Sequence, residues 1–340
     1  MSFRLRMTIH AALMGLGFGT FLAVQGVFMG ELGAEVWQIG LILTLFVVIV
    51  AVAKISFGVL ADTRGRIALF RLALCLQAAG GATMIVLPNF WGLVVGASFL
   101  ALSTAAESGT VDAWAVERIK EQGQEDRLQQ FIGGFQAAGA LGITAGAILG
   151  GYLPDLMSEF PLHAPTSWNA VFMSIVAVLH LLLTPYLFHE GVAPAEVDEA
   201  EAHPLQRMRA AIRFAATTFD LRDILILGAV LGIGMGMVEG YWQPRLSEID
   251  PTMAYARFGW VTAGYFAMAI VGPLAIGVFA TKTGVSARAA AGAAPPDCGR
   301  HRGPVGANRL LGFRGRLSWP DADHRHDRFG RSDRDEQSHA

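Results

Sequence analysis

Cysteine is almost missing from this chain: there are two in 340 residues, Cys75 in an apolar run and Cys298 in a polar one. Two cysteines so differently placed exclude a disulfide framework and a thiolate metal site. Charge is scarce too. Asp, Glu, Lys and Arg make up 16% of the residues, against about 25% in soluble domains. With 53% hydrophobic residues and a mean hydropathy of +0.44, the composition excludes a disordered chain and a water-soluble enzyme. There is no phosphate-binding loop, zinc-ligand spacing or nucleophile–base constellation. The expectation is therefore a protein that is not an enzyme, with no cofactor, no metal and no nucleic-acid partner. A cleavable leader is not evident, because the first apolar run is long enough to span and stay.

The charge that is present is unevenly spread. Of 54 charged residues, 16 fall in the last 50 positions and 38 in the first 290. The apolar body divides into eight segments near 8–30, 39–60, 68–88, 91–113, 131–153, 167–188, 224–246 and 258–281. Each has the roughly 20 apolar residues that a membrane helix needs. They are continuously apolar and do not alternate, which excludes a membrane β-barrel. The fold class is an all-α polytopic membrane protein with the bilayer as its solvent.

Basic residues mark alternate loops. Arg4 and Arg6 precede the first segment; Arg64, Arg66 and Arg71 follow the second; Arg118, Lys120 and Arg127 follow the fourth. Arg207, Arg209, Arg213 and Arg222 follow the sixth, while 31–38, 88–90 and 154–166 hold no Lys or Arg. The positive-inside rule then puts the N-terminus in the cytoplasm; the location expected is the cell inner (plasma) membrane. Arg245 and Arg257, after the seventh segment, run against the pattern.

A repeat organises the chain. GVLADTRG at 58–65 recurs as GVFATKTG at 277–284, both where a second helix leaves the membrane. Four stretches follow: a six-helix bundle over 1–188, a linker over 189–223 with an amphipathic basic helix, two helices of a second bundle over 224–288, and a polar tail over 289–340.

GVLADTRGRIALFR at 58–71 resembles the motif between the second and third helices of major facilitator superfamily (MFS) transporters. Gly58, Leu60, Asp62, Gly65 and Arg66 match it; Thr63 and Ile67 stand where basic residues are usual. The resemblance implies an MFS-type bundle of twelve helices, of which about eight are present. It also implies a gate in which Asp62 and Arg66 pair or cap helix ends, with Asp112 in SGTVDAWAVERI reaching Arg66 or Arg64. In the fifth helix, Gly133, Gly142, Gly146, Gly150 and Gly151 fall at the spacing of the family's antiporter motif, with Ala147 in place of its usual Pro. Small residues at this spacing equally suit close helix packing.

Ionisable groups in hydrocarbon are candidates for function. Counting helical rise puts Lys54 and Glu107 at similar depth, so they either pair or Lys54 snorkels to the interface. Glu239 in GMGMVEGYWQP is the foremost candidate. Gly240 and Pro244 can interrupt its helix there, and Tyr241 and Trp242 can line a cavity or form an aromatic belt. Gln25 and Gln136 either bind substrate or join helices. His10 and His180, near helix ends, are expected at the interface.

The function implied is secondary active transport of a small solute by alternating access, with proton-coupled efflux favoured by the fifth-helix motif. The Arg-, Gly-, Pro-, Asp- and His-rich tail stands where a ninth helix belongs. It reads as out of frame or as a natural polar tail. The alternative to a transporter is therefore a truncated product that transports nothing.

Overall fold

Residues 2–121, 123, 128–188, 213 and 219–283 are described by the computed structural model of the chain. The linker's amphipathic helix and the tail expected from the sequence lie outside them, apart from Arg213 and the residues from 219 onward. Met1–Ile276 forms one unit; of Gly277–Ala340, only helical residues 277–283 are described.

The described residues form α1 (Phe3–Leu22), α2 (Gln25–Glu31), α3 (Val36–Arg64), α4 (Arg66–Val86) and α5 (Phe90–Glu107). They continue with α6 (Val111–Glu121), α7 (Leu128–Leu156), α8 (Ser167–Leu187), α9 (Phe219–Ile249) and α10 (Tyr255–Thr283). Seven stretches are long and apolar enough to cross a bilayer: Phe3–Leu22, Val36–Lys54, Arg66–Val86, Phe90–Glu121, Phe131–Leu156, Ser167–Leu187 and Arg222–Ile249. Helix α10 occupies the eighth expected segment. Because hydrocarbon offers no partner for a free peptide group, helices are the only form these runs can take.

Polar side chains set where the helices start. The Ser2 hydroxyl accepts from the Leu5 N–H at 3.3 Å, which begins α1 five residues before the apolar run does. Glu35 and Gln38 form a capping box at α3, the Glu35 N–H reaching Gln38 Oε1 at 2.8 Å. Asn89 Oδ1 accepts from the Gly92 N–H at 3.1 Å and opens α5.

Two expected spans are broken. The first is interrupted at Ala23–Val24, between α1 and α2, and the fourth at Ser108–Thr110, between α5 and α6, where Gly109 has φ +79°. By contrast, α9 runs unbroken through Gly240 and Pro244. The interruption expected beside Glu239 is not there; it lies in the first span instead.

Helix α1 packs on α7 and α8, α4 on α5 and α8, and α3 on α5. The α1–α7 contact is backbone to backbone. A methyl at Gly142, Gly146 or Gly150 would strike the carbonyl oxygen of Ala12, Leu16 or Thr20, and one at Gly15 or Gly19 would strike that of Gly139 or Ile143. Small residues on both helices permit this approach, and dispersion between the close backbones holds it. One apolar core gathers Phe21, Phe28, Met29, Ile39, Ile42, Met84, Leu93 and Met173. A second gathers Met7, Ile67, Phe70, Leu74, Leu187 and Phe188.

Candidate functional site

The motif at 58–66 is a helix-to-helix turn. Gly65, at φ +91°, ends α3 and begins α4. A side chain there would be strained whatever space surrounds it. Arg66 then reaches across to α6, where its Nη2 lies 2.8 Å from Glu117 Oε1. On α6 the acid that meets Arg66 is thus Glu117, five residues beyond the expected Asp112, which is exposed. The fourth span restarts at Val111 after the Gly109 turn, so Asp112 stands in the first turn of a new helix. The Asp62 side chain lies outside the described residues, as do those of 277–283. A methyl on Gly58 would meet open space.

Among the fifth-helix glycines, Gly142, Gly146 and Gly150 lie against α1, and Gly151 lies against Ala256 and Gly259 of α10. Nothing stands within 4 Å of a methyl at Gly133. Ala147, where the motif's proline would stand, is fully buried with Ala23, Val24 and Ala263.

The expected ion pair of Lys54 with Glu107 is not formed: Lys54 is exposed, and no salt bridge joins the two. The reason is the same break. Glu107 is the last residue of α5, its carbonyl taken by the Thr110 hydroxyl at 2.6 Å. A depth counted along a continuous helix from Glu117 therefore does not apply. Glu239 is exposed, with Tyr265 Oη at a long 3.5 Å from Oε1. Trp242 is half-buried with its ring 5.9 Å from that of Phe258. Gln25 is half-buried at the start of α2, and Gln136 is exposed. Among the described residues, no hydrogen bond or ion pair joins any two of Lys54, Glu107, Gln25, Gln136 and Glu239.

A different set of polar groups comes together. Gln243 on α9, 4% exposed, accepts from the Gly26 N–H at 2.6 Å. Its Nε2 donates to the carbonyls of Leu22 at 2.9 Å and Ala23 at 3.1 Å. Glu31, at the end of α2, accepts from the Tyr255 hydroxyl of α10 at 2.6 Å. It also accepts from the Thr166 hydroxyl at 2.5 Å and the Thr166 N–H at 3.3 Å, before α8. Asn169 on α8, fully buried, donates to the carbonyls of Thr20 and Gly150, each at 2.8 Å, and so joins α8 to α1 and α7. Packing follows the same line: Gly40 takes the Tyr241 hydroxyl, and Gly240 takes Leu43.

These contacts sit at one end of the helices. From Gly240 through Ala263, α9 and α10 bury Gln243, Phe258, Thr262 and Ala263 against the first six spans. Earlier in α9, Ile224, Leu227, Val230 and Val238 are each 60% exposed or more. The turn between α9 and α10 closes on Asp250, which accepts from the Thr252 hydroxyl at 2.7 Å. That bond is the main cause holding the Asp250 carboxyl below its usual range.

His10 and His180 are buried, not interfacial, and their ring nitrogens lie 3.1 Å apart. Phe70, Phe135 and Phe188 pack around them. Because α1 starts at Phe3, His10 stands two turns inside it. A groove of about 790 Å³ between α4 and α8, lined by Ala78, Ala82, Ile175, Val178 and Leu182, is almost wholly apolar and includes none of the candidate residues.

The sequence profile of the Major Facilitator Superfamily matches residues 7–294. The chain belongs to that superfamily. An uncharacterized MFS-type transporter of Methanocaldococcus jannaschii is 30% identical over 149 residues, a match covering 44% of this chain and 37% of that protein. The MFS fold is seen again in the crystal structure of the nucleoside transporter NupG, at a TM-score of 0.63 and 14% identity over 83% of this chain and 68% of that one. The family makes the chain a multi-pass membrane protein, and it spans well under half the length of the curated relative it matches.

Glu31, Asn169 and Gln243 lie outside every motif and candidate set that the sequence offers. Each is a lone polar residue among small or apolar neighbours in or beside a span, the pattern that in hydrocarbon demands a specific partner.

Proposed function

We propose that this MFS chain moves a small solute by alternating access, with its proton-coupled direction being efflux. Contacts that close one end of the helix pairs and leave the other end of α9 exposed carry this reading. Gln243, Glu31 and Tyr241 tie the second-bundle helices to the first bundle beside the basic-free loops 32–35 and 157–166. The positive-inside pattern makes that the outer end, with the N-terminus in the cytoplasm of the inner membrane. Substrate then enters from the cytoplasmic end. Gly65, Arg66 and Glu117 hold the turn at that end, where the Arg66–Glu117 bridge gates closure. Glu239, exposed one residue before α9's buried stretch begins at Gly240, is the proton carrier. Its carboxyl is reached only by Tyr265 among the described residues.

The full chain in proteoliposomes, loaded with a pH indicator and a fluorescent lipophilic cation, tests this. Accumulation of the dye against its gradient is expected only under an imposed pH gradient, and Glu239→Gln is expected to abolish that dependence. Dye movement unaltered by Glu239→Gln removes Glu239 from the coupling. No movement under any gradient identifies the alternative, a product that folds in the membrane and carries nothing.

A further inference from the structure

The interruption at Ala23–Val24 contains no proline and no glycine, so nothing in its own sequence demands it. In a continuous helix the Gly26 N–H would bond to the Leu22 carbonyl and the Val27 N–H to that of Ala23. The Val27 bond is not made, and the Gly26 N–H is given to Gln243. Backbone pairing stops with Ala23 N–H to Gly19 at 3.1 Å and Val24 N–H to Phe21 at 3.2 Å, and resumes with Phe28 N–H to Val24 at 2.8 Å. Gln243 occupies the gap. Its oxygen takes the Gly26 N–H, and its nitrogen takes the Leu22 and Ala23 carbonyls. Only a primary amide carries an acceptor and two donors on one short fork, so Gln is suited to replace both kinds of backbone partner at once. Gly26 has to be small here, since a methyl would stand 2.9 Å from Pro244 Cδ and 3.1 Å from Gln243 Oε1.

We infer that Gln243 is a positioning residue whose side chain stands in for missing helical hydrogen bonds of the first span, so that the span is interrupted while the second bundle is docked and continuous once it withdraws. The coupling follows from backbone pairing. Once Gln243 withdraws, the Gly26 N–H and the Leu22 and Ala23 carbonyls lose their partners. The nearest replacements are within the chain itself, Gly26 N–H to the Leu22 carbonyl and Val27 N–H to that of Ala23, which closes the helix. Separation of the bundles at this end and closure of the first helix are then one event. This inference deepens the alternating-access reading and rests on it.

The test uses the full chain in lipid nanodiscs, with hydrogen–deuterium exchange resolved at Gly26 and Val27. A spin-label pair at the exposed positions Trp37 and Ile249 reports the separation of the bundles. For Gln243→Leu the expected results are a longer Trp37–Ile249 distance and slower exchange at Val27. The slowing should be about tenfold, the factor given by one net backbone hydrogen bond. Deleting a hydrogen-bonding side chain would thus raise protection, which loss of packing alone cannot do. Faster or unchanged exchange at Val27 overturns the inference, as does a wider distance without added protection. Should Gln243→Leu not fold, Gln243→Asn keeps the amide but falls one methylene short of Gly26, and the same signs are expected. Neither readout depends on flux. A chain that transports nothing but shows both changes sinks the transport reading alone, and a chain that transports without them sinks this one alone.

Discussion

Gly133 and Gly146 belong to one sequence motif, and the structure gives them opposite sensitivities. At Gly146 an added methyl would strike the Leu16 carbonyl oxygen and stand 3.0 Å from the Thr20 nitrogen. Both are backbone atoms, so no rotamer change relieves the clash. Helices α1 and α7 would have to part by roughly 1 Å to restore ordinary contact distance. Overpacking of this kind costs about 1–3 kcal/mol, and at about 2–4 °C per kcal/mol Gly146→Ala should melt roughly 2–12 °C lower. At Gly133 a methyl meets nothing within 4 Å. Gly133→Ala therefore gains only the helix preference of Ala, about 0.5–1 kcal/mol, and should melt at or slightly above the parent temperature. The measurement is thermal unfolding in detergent followed by size-exclusion fluorescence, with transport assayed on the same samples. Equal melting temperatures for the two variants would refute the packing argument. Loss of transport in Gly133→Ala with unaltered melting would show that the motif does something other than hold helices together.

Tyr255→Phe removes one of three donors to Glu31 and should loosen the closed end by about 1.5–3 kcal/mol, as for a hydrogen bond to a charged group; faster thiol labelling of a cysteine placed at the buried neighbour Ala164 is the readout. His10→Phe leaves His180 buried with its partner gone and should cost about 1–3 kcal/mol. The double variant with His180→Leu should recover part of that loss, giving a coupling energy in a double-mutant cycle. The Arg66–Glu117 bridge is partly exposed, at 22% and 57%, so Arg66→Gln should change stability by no more than about 1 kcal/mol. Its effect should fall on transport, and exchange of the charges in Arg66→Glu with Glu117→Arg should restore what Glu117→Arg alone loses.

What the sequence made legible is what hydrocarbon solvent imposes locally. Eight apolar runs, their helical form and the turn at Gly65 follow from span length and backbone conformation, each a property of a few adjacent residues. Expectation and structure part where an apolar run is not one rigid helix. The Gly109 turn voids any depth for Glu107 counted back from Glu117. An apolar run that begins near residue 8 puts His10 at a helix end, whereas the Ser2 hydroxyl starts α1 at Phe3 and carries His10 into the core. The Gly109 turn was at least signalled by SGT within an apolar stretch.

The break at Ala23–Val24 had no local signal, and the reason is physical. Gly240 and Pro244 mark a site that local rules would interrupt, yet α9 runs through it, because hydrocarbon favours keeping every bond a helix can make. The sequence LAVQG, which local rules would leave helical, is interrupted because a side chain 217 residues from Gly26 supplies the bonds. An interruption whose cost is met from another bundle cannot be read from the helix that carries it. It can be read from the other side: a glutamine in the middle of YWQPR must find partners for three hydrogen-bonding groups, and in a membrane only an opened backbone offers an N–H and two carbonyls together. Glu31 and Asn169 follow the same logic, since each takes its partners from elements that only the fold brings near. In a chain of this composition, the polar residues that close the structure are those whose hydrogen bonds their own helix cannot satisfy.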